Sequence, residues 1–252
     1  MGSPVCGMSL KAVLFDFNGV IIKDESIHVQ LIDEILLQEN MQPQKLHERQ
    51  ICLGRSDRAC FQDLLKNRGR VVTEEYLSQL LNRKAQAYVS ALEKWEKLPL
   101  YSGIEDLIFQ VRSQNLKLGL VSGALRQEID LVLERAKLTE YFQIIVAGDD
   151  TNTSKPQPEG YLLAVERLNQ VDPDLNLQSH ECLAIEDTPA GIQAAKRAQM
   201  QVVGVANTYP FHIMQRQANW TVDYLIDLEL ERVQEVYLQK DLQSDVAVSG
   251  NE

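Results

Sequence analysis

The sequence has no long apolar run and too little positive charge to balance its acids. Its longest apolar stretches fall far short of the roughly 18 residues that would suggest a membrane span. Lys and Arg total 25 against 36 acidic residues, a formal net charge of -11. That balance excludes a generic nucleic-acid or anionic-membrane binder, whose footprint is basic. Any site for an anionic ligand must therefore be locally positive. Cysteine is also scarce. Cys6, Cys52, Cys60 and Cys182 include no CxxC pair, so neither a zinc site nor a disulfide framework is expected, and reduced thiols are the reading. The first residues, MGSPVCGMSLK, lack a basic region followed by an apolar one. No signal peptide is expected, and a cytoplasmic setting is the default. There is no internal repeat and no low-complexity tract.

The remaining composition is that of a folded chain. At 252 residues and 44% hydrophobic content, it is long and apolar enough to bury a sizeable core. Short runs rich in Val, Ile and Leu recur at Ala12–Phe15, Leu118–Val121, Ile144–Ala147, Leu183–Ile185 and Val202–Val205. A weaker sixth is predicted near Tyr224–Ile226. Such runs read as strands covered on both faces, as in a parallel sheet flanked by helices. Between the first two lies a region that is helical by pattern. Helices are predicted over Ile27–Glu39, Ser56–Arg68 and Thr73–Leu98, with Ser56 and Thr73 as N-caps. The fold class is thus α/β: a Rossmann-like parallel sheet core over residues 1–23 and 98–240, with an all-helical cap inserted at 24–97. Residues 241–252 are polar and read as a disordered tail.

Polar residues interrupt the chain just after four of these strands. Asp16 follows the first, Ser122 and Gly123 the second, Lys155 lies beyond the third, and Glu186 and Asp187 close the fourth. In an open parallel sheet all of these positions lie at the carboxyl edge, where ligands bind. Each has an ordinary structural reading when taken alone. An Asp after a strand is usually a turn former, Thr188-Pro189 makes a good helix start, and Lys155 suits a solvated loop. Joint placement at one edge is what favours a site.

The segments VLFDFNGVIIKDESIH (Val13–His28), VSGA (Val121–Ala124), SKPQPEGY (Ser154–Tyr161) and AIEDTPAGIQAA (Ala184–Ala195) resemble, in order, the four motifs of the haloacid dehalogenase-like superfamily. The position of the helical insertion is similar to that of the β-phosphoglucomutase and phosphoglycolate-phosphatase branch. The resemblance implies that Asp16 is a nucleophile forming an aspartyl-phosphate. It implies Mg²⁺ held by Asp16, the backbone carbonyl of Asn18 and Asp187, with Glu186 assisting through water. Ser122 and the Gly123 amide would hold phosphoryl oxygens, and Lys155 would offset charge. The expected partner is a small phosphorylated metabolite, with no nucleic acid and no membrane, and the chain is expected to be a monomer or weak dimer.

One position departs from the pattern. Phosphatases of the family usually carry DxD in the first motif, whereas this chain has Asp16-Phe17-Asn18. The second Asp normally protonates the leaving oxygen, which an amide cannot do. General acid–base groups contribute roughly a hundred- to ten-thousand-fold in rate. The primary reading is a Mg²⁺-dependent phosphomonoester hydrolase, of the sugar phosphate or phosphoglycolate class, weakened by Asn18. The alternatives are a phosphate-binding or regulatory protein with a disabled cycle, or a phosphosugar mutase if Asn18 is an engineered substitution. His28 reads first as a packing histidine at the hinge and second as a substitute acid–base group facing the substrate. Arg55 and Arg58 read equally as solvated arginines or as contacts for a substrate's anionic end.

Overall fold

A computed structural model of the chain describes residues 9–249, with side chains as far as 239. The strands are β1 (Ala12–Phe15), β2 (Lys117–Val121), β3 (Ile144–Val146), β4 (Cys182–Glu186), β5 (Gln201–Val205) and β6 (Trp220–Val222). They form one sheet in the order β3-β2-β1-β4-β5-β6, with every pairing parallel. The alternation of side chains along β1 shows why its residues are apolar throughout. Val13 and Phe15 enter the cluster on one face, with α5 (Ile104–Ser113) and α6 (Arg126–Ala136). Ala12 and Leu14 enter the cluster on the other, with α7 (Glu159–Val171) and α8 (Pro189–Arg197). A short α9 (Phe211–Met214) lies between β5 and β6.

Four helices lie between β1 and α5: α1 (Glu25–Gln38), α2 (Leu46–Cys52), α3 (Asp57–Asn67) and α4 (Glu74–Leu92). They form a helical cap with an apolar cluster of its own, in which Ile35 and Leu36 of α1 meet Phe61 and Leu64 of α3 and Leu77 and Leu80 of α4. The expected N-caps form. Ser56 accepts from the Ala59 amide and Thr73 from the Tyr76 amide. Thr188 likewise caps α8 ahead of Pro189.

The structure corrects the sequence reading at four points. The sixth strand is Trp220–Val222, and Leu225–Asp227 is a turn of 3₁₀ helix. Thr73 starts a helix that ends at Leu92, ahead of the expected Leu98. The expected tail is helical over most of its length, because α10 (Leu230–Ser249) continues through it; residues 250–252 lie outside the described residues. Finally, Cys52 and Cys60 form a disulfide rather than two thiols. They end α2 and open α3, so a tight helix–loop–helix turn joins residues that CxxC spacing cannot reveal. Cys182 is a buried free thiol, and Cys6 lies outside the described residues.

Candidate active site

The sheet order places β1 between β2 and β4, so the chain reverses direction of winding beside β1. That is the crevice in which α/β sheets bind ligands. Asp16 follows β1 directly. Its Oδ1 accepts from the Phe17 amide at 2.8 Å and pairs with Lys155 Nζ at 2.9 Å. Lys155 also pairs with Glu186 Oε1 at 2.7 Å and donates to the Val121 carbonyl at 3.1 Å. Tyr161 OH donates to the same Glu186 oxygen at 2.6 Å. Burial works against the Lys155 charge, but the two carboxylates outweigh it and keep the ammonium protonated.

Asp16, Glu186 and Asp187 are buried with carboxylate oxygens within 4.8 Å of one another. Burial, then the charge of Asp16, pushes Glu186 up to about 8 despite Lys155. Burial and both neighbouring carboxylates raise Asp187 well above the usual range. Glu186 Oε2 and Asp187 Oδ1 are buried without a hydrogen-bond partner. Orphaned, mutually repelling carboxylate oxygens fit a hard divalent cation, which takes oxygen ligands and relieves that repulsion. Two glycines leave the room this cluster needs. A Cβ on Gly19, whose φ is +81°, would lie 1.8 Å from Asp187 Oδ2, and one on Gly191 would lie 1.9 Å from Glu186 Oε2.

A cavity of about 90 Å³ opens on this cluster between core and cap. It is space for several waters or one small ligand. Asp16, Asn18, His28, Arg55, Gly123, Lys155 and Asp187 all line it. Ser122 lies in an adjoining recess with Lys155, where its Oγ accepts from the Ala124 amide at 3.0 Å. Glu186 is fully buried behind Lys155. Arg58 stays outside the cavity and pairs with Glu74 at the surface.

The sequence reading missed a polar network on the cap side. Asn18 Nδ2 lies 3.1 and 3.0 Å from the two carboxylate oxygens of Asp24 and 3.1 Å from His28 Nε2. Tyr88 OH donates to Asp24, and the His28 ring stacks on Tyr88. Asp24 is held below its ordinary value: burial opposes this, but His28, Tyr88 and Asn18 outweigh it. His28 is raised: burial and Lys84 oppose it, but Asp24 and Glu128 outweigh them. One turn before Tyr88 on α4, Lys84 is fully buried between Asp57 of α3, at 2.5 Å, and Glu128 of α6, at 3.0 Å. The i, i+4 spacing of Lys84 and Tyr88 was the available signal; their partners lie too far away in sequence to be read.

The fold and these strand-end residues define an α/β protein with a buried acidic cluster under a helical cap. The chain belongs to the haloacid dehalogenase-like hydrolases, whose family model matches residues 13–205. It is 28% identical over 231 residues to the β-phosphoglucomutase of Bacillus subtilis, covering 91% of this chain and 96% of that one. It is 28% identical over 203 residues to a phosphorylated carbohydrates phosphatase of Thermotoga maritima, covering 79% and 87%. The structure of a β-phosphoglucomutase from Clostridium difficile superposes with a TM-score of 0.79 at 27% identity, covering 92% of this chain and 98% of that one.

Proposed function

We propose that the chain is a Mg²⁺-dependent phosphomonoester hydrolase acting on a small phosphorylated metabolite, of the sugar phosphate or phosphoglycolate class. The observation that carries this reading is the pairing of Asp16 with Lys155 at 2.9 Å, beside two buried carboxylates with unpartnered oxygens. In this reading Asp16 attacks phosphorus, the ester P–O bond breaks and the substrate oxygen leaves as the alcohol, and water then hydrolyses the aspartyl-phosphate to inorganic phosphate and free Asp16. Asp16, Asp187 and the Asn18 carbonyl would hold Mg²⁺, with Glu186 assisting through water. When bound, the ion neutralises carboxylate charge and polarises a phosphoryl oxygen. Ser122 and the Gly123 amide hold the other phosphoryl oxygens, and Lys155 stabilises charge as it develops. Arg55, already paired with Asp63 at 2.6 Å, faces the anionic end of the substrate. Residues 24–97 move as a unit over the core to admit substrate and then exclude water.

A second reading is a phosphate-ligand binding protein with a disabled cycle. It is favoured by one observation: at the position of the usual acid, the Asn18 amide is engaged with Asp24. Hydrolysis of p-nitrophenyl phosphate separates the two, because that leaving group needs little protonation. The hydrolase reading expects turnover that requires Mg²⁺ and is lost in Asp16→Asn. Mg²⁺-dependent binding of inorganic phosphate with no turnover of any aryl or alkyl ester would replace it with the second.

A further inference from the structure

The loop between α2 and α3 closes the cavity, and both of its ends are tied by the Cys52–Cys60 disulfide. Leu53, Gly54 and Arg55 of this loop line the cavity, as do Cys52 and Cys60 themselves. On its other side the loop meets three of the strand-end segments of the core. Gly54 packs so closely on Thr188, next to Asp187, that a Cβ there would lie 2.3 Å from Thr188 Oγ1. Gly123 has equally little room against Ser56, with a Cβ 2.8 Å from the Ser56 backbone. The Ser56 amide donates to Ser154 Oγ at 2.7 Å, beside Lys155. The bridge therefore sits where the order of one short segment decides how the cap seats on the site.

Both cysteines line the cavity, but they differ in burial. Cys60 is buried in the apolar cluster of the cap. Cys52 is only partly buried, takes a hydrogen bond from Gln44 Nε2 at 3.5 Å, and opens on the cavity. Because α1, α3 and α4 share an apolar core, the bridge chiefly fixes α2 and the loop after it. A bridge with one partly exposed cysteine on a cavity gives an attacking thiolate a route to it, and exposed disulfides are the labile ones.

We propose that Cys52 and Cys60 are a thiol–disulfide exchange site that sets substrate affinity through the loop 53–56. The oxidant is a disulfide, either a small one such as glutathione disulfide or an oxidised protein dithiol. In oxidation the two chain thiols lose two protons and two electrons as the Cys52–Cys60 bond forms. The oxidant's S–S bond breaks, and it leaves as two thiols. In reduction a dithiol attacks Cys52 and releases Cys60 as a thiol; its second thiol then displaces Cys52 as a thiol, and the reductant leaves as a disulfide. The oxidised loop is pre-ordered against Thr188, Gly123 and Ser154. The reduced loop must be ordered by the ligand, which weakens binding.

The test compares the full chain after treatment with glutathione disulfide and with dithiothreitol, its bridge status fixed by non-reducing peptide mass mapping. Inorganic phosphate binding with Mg²⁺ is measured by calorimetry, and KM for p-nitrophenyl phosphate by steady-state kinetics. Reduction is expected to raise both the phosphate Kd and KM about three- to tenfold, the scale of ordering a few side chains, with kcat changing less. Cys52→Ser is expected to match the reduced chain under both treatments; the wild-type comparison stands even if that variant folds poorly. Equal phosphate affinity in the two states, or no Cys52–Cys60 bridge after oxidation, overturns the proposal. The activity readout rests on the hydrolase reading. Absence of turnover with a redox-dependent phosphate Kd would sink that reading and leave this one standing.

Discussion

The side-chain amide of Asn18 lies at 3.1 and 3.0 Å from the two carboxylate oxygens of Asp24, and so completes the shell of a fully buried carboxylate. An aspartate at position 18 would set a second carboxylate against the first. Asn18→Asp alone is therefore expected to lower stability by about 2 kcal/mol or more, the cost of removing a donor from a buried charged acceptor. The double variant Asn18→Asp/Asp24→Asn restores a donor–acceptor pair and should recover most of that loss in a denaturant melt. It should also raise single-turnover rates on alkyl phosphates at least about tenfold, the lower range of a general acid. Unchanged rates in a well-folded double variant would mean that the missing acid is not what limits turnover.

Asp16→Asn keeps the shape of the side chain and removes the nucleophilic oxygen and its charge. Turnover of p-nitrophenyl phosphate should fall to background. The ammonium of Lys155 keeps Glu186 as a partner at 2.7 Å, so the fold should survive. Circular dichroism and a thermal melt run beside the assay check that. Residual Mg²⁺-dependent turnover in this variant would move the nucleophile elsewhere.

Gly191 tests the cation cradle. By helix propensity alone, Ala in place of Gly in a helix is favoured by about 1 kcal/mol. Here a Cβ would stand 1.9 Å from Glu186 Oε2 and must displace that carboxylate. Gly191→Ala is expected to lower the melting temperature and to weaken Mg²⁺ binding measured by calorimetry. A stabilised variant with unchanged Mg²⁺ affinity would show that the Glu186 carboxylate is free to move.

Lys84 joins cap to core through the buried Glu128 of α6 and also pairs with the part-buried Asp57 within the cap. Lys84→Met leaves Asp57 and Glu128 uncompensated, and breaking such a buried pair costs about 3–5 kcal/mol. The triple variant Lys84→Met/Asp57→Asn/Glu128→Gln removes the charges together and should be more stable than the single one. Chemical denaturation of both decides the order.

Asp150 supplies a pH signature away from the acidic cluster. Its Oδ2 accepts from Arg167 at 2.8 Å, Arg126 at 3.0 Å and the Ala147 amide at 2.9 Å. Burial opposes ionisation, but the Arg167 hydrogen bond and the Ala147 amide outweigh it and pull the carboxyl from 3.8 down to about 2. The folded value lies below the unfolded one. The stabilisation is therefore fully present above about pH 4 and is lost as pH falls through about 2. With solvent screening allowed for, it amounts to about 1–2 kcal/mol. Asp150→Asn should be destabilised by that amount at neutral pH, and the difference from wild type should shrink severalfold by about pH 2 and vanish below it. A difference that persists unchanged at pH 2 would assign it to packing rather than charge.

The sequence alone determined the layered α/β plan and the edge at which chemistry collects. Strands apolar on both faces can rest only inside a flanked parallel sheet, as Val13 and Leu14 show by entering opposite clusters. A polar residue ending such a strand must emerge at the carboxyl edge, so Asp16, Lys155 and Asp187 could be read as neighbours before their distances were known. Capping was equally local: Ser56, Thr73 and Thr188 each bond an amide three residues on. Tertiary structure alone decided what faces the site from the cap. Asp24 and Tyr88 meet across 64 positions, Lys84 and Glu128 across 44, and Ser56 reaches Ser154 across 98. Periodicity reports which side of a helix is buried, but not which partner waits there. The same limit hid the disulfide, because sulfurs eight residues apart meet only once α2 and α3 fold back on each other.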